Sequence, residues 1–200
     1  MTTALLLSGG MDSIAIAYWQ RPNFAFTIDY GQLAANKEII IAKKVCDELN
    51  ISHHILTFNL KQFGSGDLVG TATNAHAPAS DWWPYRNQML ITLAAMYGIK
   101  LGINKILIGS VKSDNYHIDG SKVFVNAMNK LLSLQEGHLE LEAPALDLTT
   151  TQLVLTKRVP IELLGWAHSC HKGDYACGQC RGCYKYFEVW NELHEQGYGK

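Results

Sequence analysis

The stretch Ser8-Gly9-Gly10-Met11-Asp12-Ser13 constrains this chain more than any other. It follows the apolar run Ala4-Leu5-Leu6-Leu7, which reads as a buried first strand, and it opens a helical segment over residues 14–20. A glycine-rich turn between a strand and a helix is where α/β proteins hold phosphate. Glycines turn tightly and let the backbone approach an anion, and the first-turn N–H groups have no intrahelical partners. The serine hydroxyls add donors. A carboxylate beside phosphate is repulsive unless a cation lies between them. Asp12 therefore points to Mg²⁺, which binds through one or two carboxylates plus substrate phosphates. The plainer alternative is a tight turn with Ser8 or Asp12 as the helix N-cap.

Strand-like and helix-like segments alternate along the chain. Residues 3–7, 24–28, 53–58, 105–108 and 139–143 are rich in β-formers. Helical periodicity or composition marks residues 12–20, 34–49, 86–101, 123–134, 149–156 and 184–196. The alternation predicts a five-stranded, mostly parallel sheet with helices on both faces, a Rossmann-like α/β fold. Ligands in such folds bind outside the carboxyl ends of the strands. Three informative turns fall there: residues 8–13, Asp29-Tyr30-Gly31-Gln32, and residues 109–114. Residues 59–84 form a long irregular stretch ending in Trp82-Trp83-Pro84-Tyr85. Loops this long are often lids or binding segments. Trp82, Trp83 and Tyr85 could stack a purine or anchor the loop on the core.

The phosphate loop lacks the G-x-x-x-x-G-K-[ST] and G-x-G-x-x-G patterns, which disfavours an ordinary β/γ-cleaving nucleotidase and a dinucleotide site. Net charge is −1, so no global basic field argues for direct nucleic-acid binding. No apolar run reaches the length of a membrane span, and no leader pattern stands at the N-terminus. A cytoplasmic protein is the expectation. Of five cysteines, four fall in Cys170-x₆-Cys177-x₂-Cys180-x₂-Cys183. Four thiolates fill a tetrahedral Zn²⁺ shell with no open position, so a structural zinc site is expected. A redox pair at Cys177 and Cys180 or an iron–sulfur cluster are the alternatives. Cys46 falls on an apolar helix face and reads as core. The chain divides into residues 1–165, carrying the phosphate loop, and residues 166–200, carrying the cysteines and a tail helix.

Ser8-Gly9-Gly10-Met11-Asp12-Ser13 resembles the loop of the PP-loop ATP pyrophosphatase superfamily. With the Cys₄ cluster, the pattern resembles the QueC, or 7-cyano-7-deazaguanine synthase, family. Asp29-Tyr30-Gly31-Gln32 is similar to that family's D-Y-G-Q turn, and Arg86-Asn87 to its G-R-N segment. Ile108-Gly109 with Asp114, Tyr116 and Asp119, Ala143-Pro144 with Asp147-Leu148-Thr149, and Trp166 with Ser169-Cys170 continue the match. The resemblance implies an ATP-dependent ligase. It would adenylylate the carboxylate of 7-carboxy-7-deazaguanine and convert it with ammonia to the nitrile, releasing AMP and pyrophosphate. It also implies ATP, Mg²⁺ and zinc as cofactors, and a homodimer. Ser8, Gly9, Gly10, Asp12 and Ser13 would hold ATP phosphates and Mg²⁺. Arg86 would face an anion. Tyr30, Gln32, Asn87, Asp114 and Asp119 would lie by the nucleotide, the deazapurine or Mg²⁺, with Asp12, Arg86 and Asp114 as the catalytic set.

The chain departs from that family in three places. Leu33-Ala34 stand where a basic residue and His are usual, Thr150 stands for the lysine of D-L-T-K, and the stretch between Asp114 and Asp119 is short. Lost cations weaken stabilisation of developing negative charge. Lys112, Lys157 and Arg158 are the nearest substitutes in sequence. Alternatively, the activated carboxylate is coupled to a protein or other amine, as in QueC-like proteins of anti-phage defence. A third reading is a non-catalytic nucleotide- and zinc-binding module. His117, close to Asp114, is the histidine to test for acid–base work.

Overall fold

Residues 4–7, 24–28 and 106–108 read as apolar on both faces, which only a sheet covered on both sides can bury. The computed structural model describes residues 1–199, without the side chains of Asn115 and Tyr116, so Tyr116 of the family match lies outside the described side chains. In it, β1 (Thr3–Leu6), β2 (Phe24–Asp29), β3 (Ser52–Thr57), β4 (Lys105–Leu107) and β5 (Glu140–Glu142) pair in the order β3-β2-β1-β4-β5. All four pairings are parallel, so no antiparallel edge completes the sheet among the described residues. Ala4 sits opposite Phe24 on one side and Ile106 on the other.

Period-two alternation sorts the strand side chains between two apolar layers. Leu5, Leu7, Ala25 and Leu107 pack with α1 (Met11–Gln20), α2 (Ala35–Leu49), α5 (Thr150–Lys157), α6 (Ile161–Leu164) and α7 (Arg181–Glu195). Ala4, Phe26, Ile28, Ile106 and Ile108 pack with α3 (Arg86–Ile99) and α4 (Lys122–Ser133). Val189 and Leu193 of α7 belong to the first layer, and Cys46 is buried there as expected. Because β1 is flanked by β2 and β4, the chain reverses its winding direction between β1 and β4. The crevice at the carboxyl ends of those two strands is where such sheets bind ligands.

The helices differ from the sequence expectations at two points. The short α6, a single turn after Pro160, has no counterpart among the expected helices. The tail helix starts at Arg181, inside the cysteine cluster, rather than at 184. The Cys180 sulfur caps it, accepting from the Cys183 N–H at 3.4 Å. Residues 59–84 carry two single 3₁₀ turns, Lys61–Phe63 and Gly66–Leu68. Trp83 anchors that segment. It is 3% exposed and meets the Tyr30 ring edge-to-face at 4.8 Å, and a Cβ on Gly64 would strike its ring at 2.6 Å. Among the described residues no helix is long and apolar enough to cross a membrane.

Candidate active site

The phosphate loop leaves β1 and enters α1 at the crevice. Gly9 has φ +75°, where side chains are strained, and a Cβ there would press against Ile41 at 3.1 Å. Gly10 is the N-cap of α1, and no side chain caps the helix. The Ser13 hydroxyl donates to the Gly10 carbonyl at 2.9 Å, which braces the loop from inside. The first-turn N–H groups therefore keep the anion-binding character of an uncapped helix start.

Asp12 and Asp114 meet over a cation that the sequence did not reveal. Lys185, on α7, places its ammonium 2.9 Å from Asp12 Oδ2 and 2.9 Å from Asp114 Oδ1. Thr150 donates to Asp12 Oδ1 at 2.6 Å, and the Val111 N–H donates to Asp114 Oδ2 at 3.1 Å. Burial pushes the Asp12 carboxyl above its ordinary value. The Lys185 ammonium pulls it back, Asp114 pushes it up again, and the Thr150 hydroxyl favours the anion. The cations nearest in sequence go elsewhere: Lys157 lies over the Trp19 ring, Arg158 ends α5 in the left-handed region, and Lys112 is exposed.

A cavity of about 360 Å³ opens from this triad. Phe26, Ile28, Leu90, Ile91 and Ile108 give it an apolar wall. Tyr30, Glu38, Arg86, Asn87 and Asp119 supply polar groups. Asp119 accepts from the Asn87 N–H at 3.2 Å and so helps hold the start of α3. Burial pushes the Tyr30 hydroxyl up to about 12, although the Arg86 guanidinium favours the Tyr30 phenolate. Gln32 does not line the cavity. Its amide is used on the Ile28 carbonyl, the Tyr30 N–H and Glu38. Glu38, unremarked in the sequence, accepts from Gln32 at 2.8 Å. Burial pushes its carboxyl up to about 7, with the Gln32 hydrogen bond and Arg86 pulling back and Asp29 adding to the rise. A second hollow of about 270 Å³ joins Glu38, Arg86 and the triad to Thr150 and residues 168–171. His117 lines the main cavity, with Asp81 Oδ1 3.5 Å and the Arg181 guanidinium 3.0 Å from its Nε2.

The four cysteine sulfurs lie within 4.8 Å of one another, and Cys177 and Cys183 are 3.9 Å apart. A tetrahedron of ~2.3 Å metal–sulfur bonds has edges of about 3.8 Å, so the donor set fits one tetrahedral ion. Backbone N–H groups of His171, Lys172 and Gln179 point at the sulfurs at 3.4 Å, which suits thiolates. A Cβ on Gly182 would lie 1.8 Å from the Ser169 carbonyl, so this knot closes only around glycine. The knot also touches the phosphate loop: the His168 N–H donates to the Gly9 carbonyl at 2.9 Å.

A phosphate loop at the β1–β4 crevice and a closed Cys₄ knot thus lie side by side. The family model described as queuosine biosynthesis protein QueC matches residues 2–194. The chain belongs to the QueC family. It is 34% identical over 206 residues to 7-cyano-7-deazaguanine synthase 1 of Desulfitobacterium hafniense, covering 96% of this chain and 92% of that one. It is 30% identical over 215 residues to 7-cyano-7-deazaguanine synthase of Methanocaldococcus jannaschii, covering 92% and 91%. Two solved structures share the fold of this QueC-family chain. The U34-tRNA thiolase NcsA of Methanococcus maripaludis, described with its [4Fe-4S] cluster, matches at a TM-score of 0.53 and 20% identity over 100% of this chain and 67% of that one. The NMN synthetase of Francisella tularensis matches at 0.52 and 15% identity over 98% and 85%.

Proposed function

We propose that the chain is an ATP-dependent ligase that adenylylates the carboxylate of 7-carboxy-7-deazaguanine and converts it with ammonia to 7-cyano-7-deazaguanine. The observation that carries this reading is the uncapped phosphate loop, whose Asp12 meets Asp114 and Lys185 at the wall of one cavity. The synthase names of relatives matched along nearly the whole chain support it.

Ser8, Gly9, Gly10 and the start of α1 receive the ATP phosphates. Asp12 and Asp114 are the carboxylates that would hold Mg²⁺, and Lys185 already marks a cation position between them. When bound, the ion screens phosphate charge. The substrate carboxylate oxygen attacks the α-phosphorus and pyrophosphate leaves. Ammonia then attacks the acyl carbon, and AMP leaves with the carbonyl carbon now bonded to nitrogen. A second adenylylation, on the amide oxygen, lets AMP leave again as the nitrogen loses its protons and the nitrile forms. Glu38, which lines both hollows, would take a proton from the incoming nitrogen, and a carboxyl raised to about 7 suits that role at neutral pH. Arg86 faces the anionic groups. Tyr30, Asn87 and Asp119 contact the base or nucleotide, and Gln32 braces the turn that carries Tyr30. The Cys₄ knot takes zinc in a structural role, since four thiolates leave no open position.

The test is the product mass after incubation with ATP, Mg²⁺, ammonia and the carboxylated base. A mass matching the nitrile, with pyrophosphate and AMP, is the expected result. Asp12→Ala should abolish pyrophosphate release. Mass added to a different amine moves the reading to coupling chemistry, and no substrate-dependent pyrophosphate overturns it. Elemental analysis should give one zinc per chain, whereas iron with visible absorption would assign a cluster instead.

A further inference from the structure

Each carboxylate of the triad has one oxygen committed to the chain and one turned toward Lys185. Thr150 holds Asp12 Oδ1 and the Val111 N–H holds Asp114 Oδ2, so Asp12 Oδ2 and Asp114 Oδ1 converge on a single nitrogen. Those two oxygens are the ones a divalent cation would use. From this convergence we propose that Lys185 is an exchangeable counter-cation: its ammonium competes with Mg²⁺ for Asp12 and Asp114 and gives up the place only when nucleotide phosphates arrive to receive it. The inference rests on the ligase reading in assigning Mg²⁺ to those two carboxylates.

Three physical points support the exchange. First, two carboxylates in a partly enclosed crevice need a cation at all times, because each is costly to hold there alone. Their side chains are 18% and 33% exposed, and Lys185 is the group that meets both. Second, the competitor is tethered. A chain-borne ammonium acts at an effective concentration of mM or more, so free Mg²⁺ alone is at a disadvantage. Third, the displaced group has somewhere to go. Lys185 borders both the main cavity and the second hollow, its side chain is 35% exposed, and its stem is flexible. Phosphate oxygens seated on the loop offer the anionic partner that the carboxylates then cease to be. Cation loading is thereby tied to nucleotide arrival. After exchange, the ammonium stands beside the phosphates with a charge that Thr150 cannot supply.

The arrangement depends on α7 beginning within the cysteine knot. Lys185 lies two positions beyond Cys183 and 173 residues from Asp12 in sequence. The knot sets where its stem starts, and the two carboxylates set where it ends.

The proposal has an unusual sign: removing the lysine should improve metal binding while harming turnover. Mn²⁺ is titrated into the nucleotide-free protein and followed by its electron paramagnetic resonance signal. Lys185→Met should bind Mn²⁺ at least tenfold more tightly than the wild type, and adding Asp114→Asn to that variant should remove the gain. In the pyrophosphate assay the same variant should need less Mg²⁺ for half-maximal rate, yet lose about 10²-fold in kcat, as expected for loss of a charge that stabilises the transition state. Damage to folding alone would weaken metal binding and turnover together. If Lys185→Met does not fold, Lys185→Gln serves, with circular dichroism as the check. Unchanged or weaker Mn²⁺ binding in a folded variant overturns the proposal. A wild type that releases no pyrophosphate counts against the ligase reading, whereas the Mn²⁺ titration is read without substrate and decides this inference separately.

Discussion

Glu38 illustrates how a single side chain takes its chemistry from enclosure. A carboxyl that titrates ordinarily at 4.5 is raised to about 7, first by burial. Its ionised form is therefore disfavoured in the folded state relative to the unfolded chain. As pH rises from 4.5 the unfolded chain ionises this group freely while the folded chain resists, so Glu38 subtracts stability across that window and the loss is complete above about 7. Glu38→Gln should accordingly raise the melting temperature at pH 8 and leave it unchanged at pH 4, which thermal unfolding at the two pH values would check. In catalysis the sign is opposite. Nitrile formation at fixed free ammonia should rise with pH to a plateau above about 7. In Glu38→Gln that limb should disappear, with a rate about 10²- to 10⁴-fold lower. A variant that keeps the limb removes Glu38 from the proton transfer.

The cysteine knot and α7 show what an element adds to its residues. Gly178 and Gly182 look alike in sequence, each adjacent to a cysteine: Gly178 follows Cys177 and Gly182 precedes Cys183. Gly178 has φ +69° with nothing within 4 Å of a Cβ, whereas a Cβ on Gly182 would lie 1.8 Å from the Ser169 carbonyl. Gly178→Ala should cost about 1–2 kcal/mol from the left-handed backbone alone and keep its metal. Gly182→Ala must displace backbone within the knot and should lose metal outright. Metal content after purification separates the two. The same contrast marks the limit of reading this chain from sequence. The strands, the phosphate loop and the four sulfur donors were legible, because strand character, loop chemistry and ligand spacing are local. Lys185, Glu38 and Asp81 were not. Lys185 reaches Asp114 from 71 residues away, and Glu38, in the first turn of the amphipathic α2, belongs to no motif that spacing reveals. Trp83 is ambiguous in sequence, and only its packing against Tyr30 makes it an anchor of the loop. The start of α7 was hidden because a cysteine stood where a serine or aspartate cap would be recognised.

Taken as a whole, the molecule ties its knot to almost every movable part of the crevice. His168 holds Gly9 of the phosphate loop, and Asp174 accepts from the Asn36 side chain and the Lys37 N–H at the start of α2. Lys172 pairs with Asp67 at 3.3 Å, while His171 and Arg181 face Asp81 at 3.7 Å and 3.6 Å. Asp67 and Asp81 both belong to the long segment between β3 and α3, so the knot clasps that segment at two points. None of these contacts is strong by itself, since partly exposed ion pairs contribute roughly 0–1 kcal/mol each. They share one origin, the Cys₄ loop, and a metal closing that loop would make them cooperative. Four thiolates without their ion repel or reprotonate, and the loop loses the closure that aims its side chains. Stripping the metal from the folded protein with a chelator should therefore speed backbone hydrogen exchange at residues 8–13 and 66–83 as well as at 168–185. Exchange in α4 and β5, which pack on the opposite layer, should stay unchanged. Under the ligase reading ATP affinity should fall in parallel, because residues 8–13 and Lys185 lose their shared anchor. Faster exchange confined to residues 168–185, with ATP affinity preserved, would show the knot to be a local staple and the clasp to have no energetic weight.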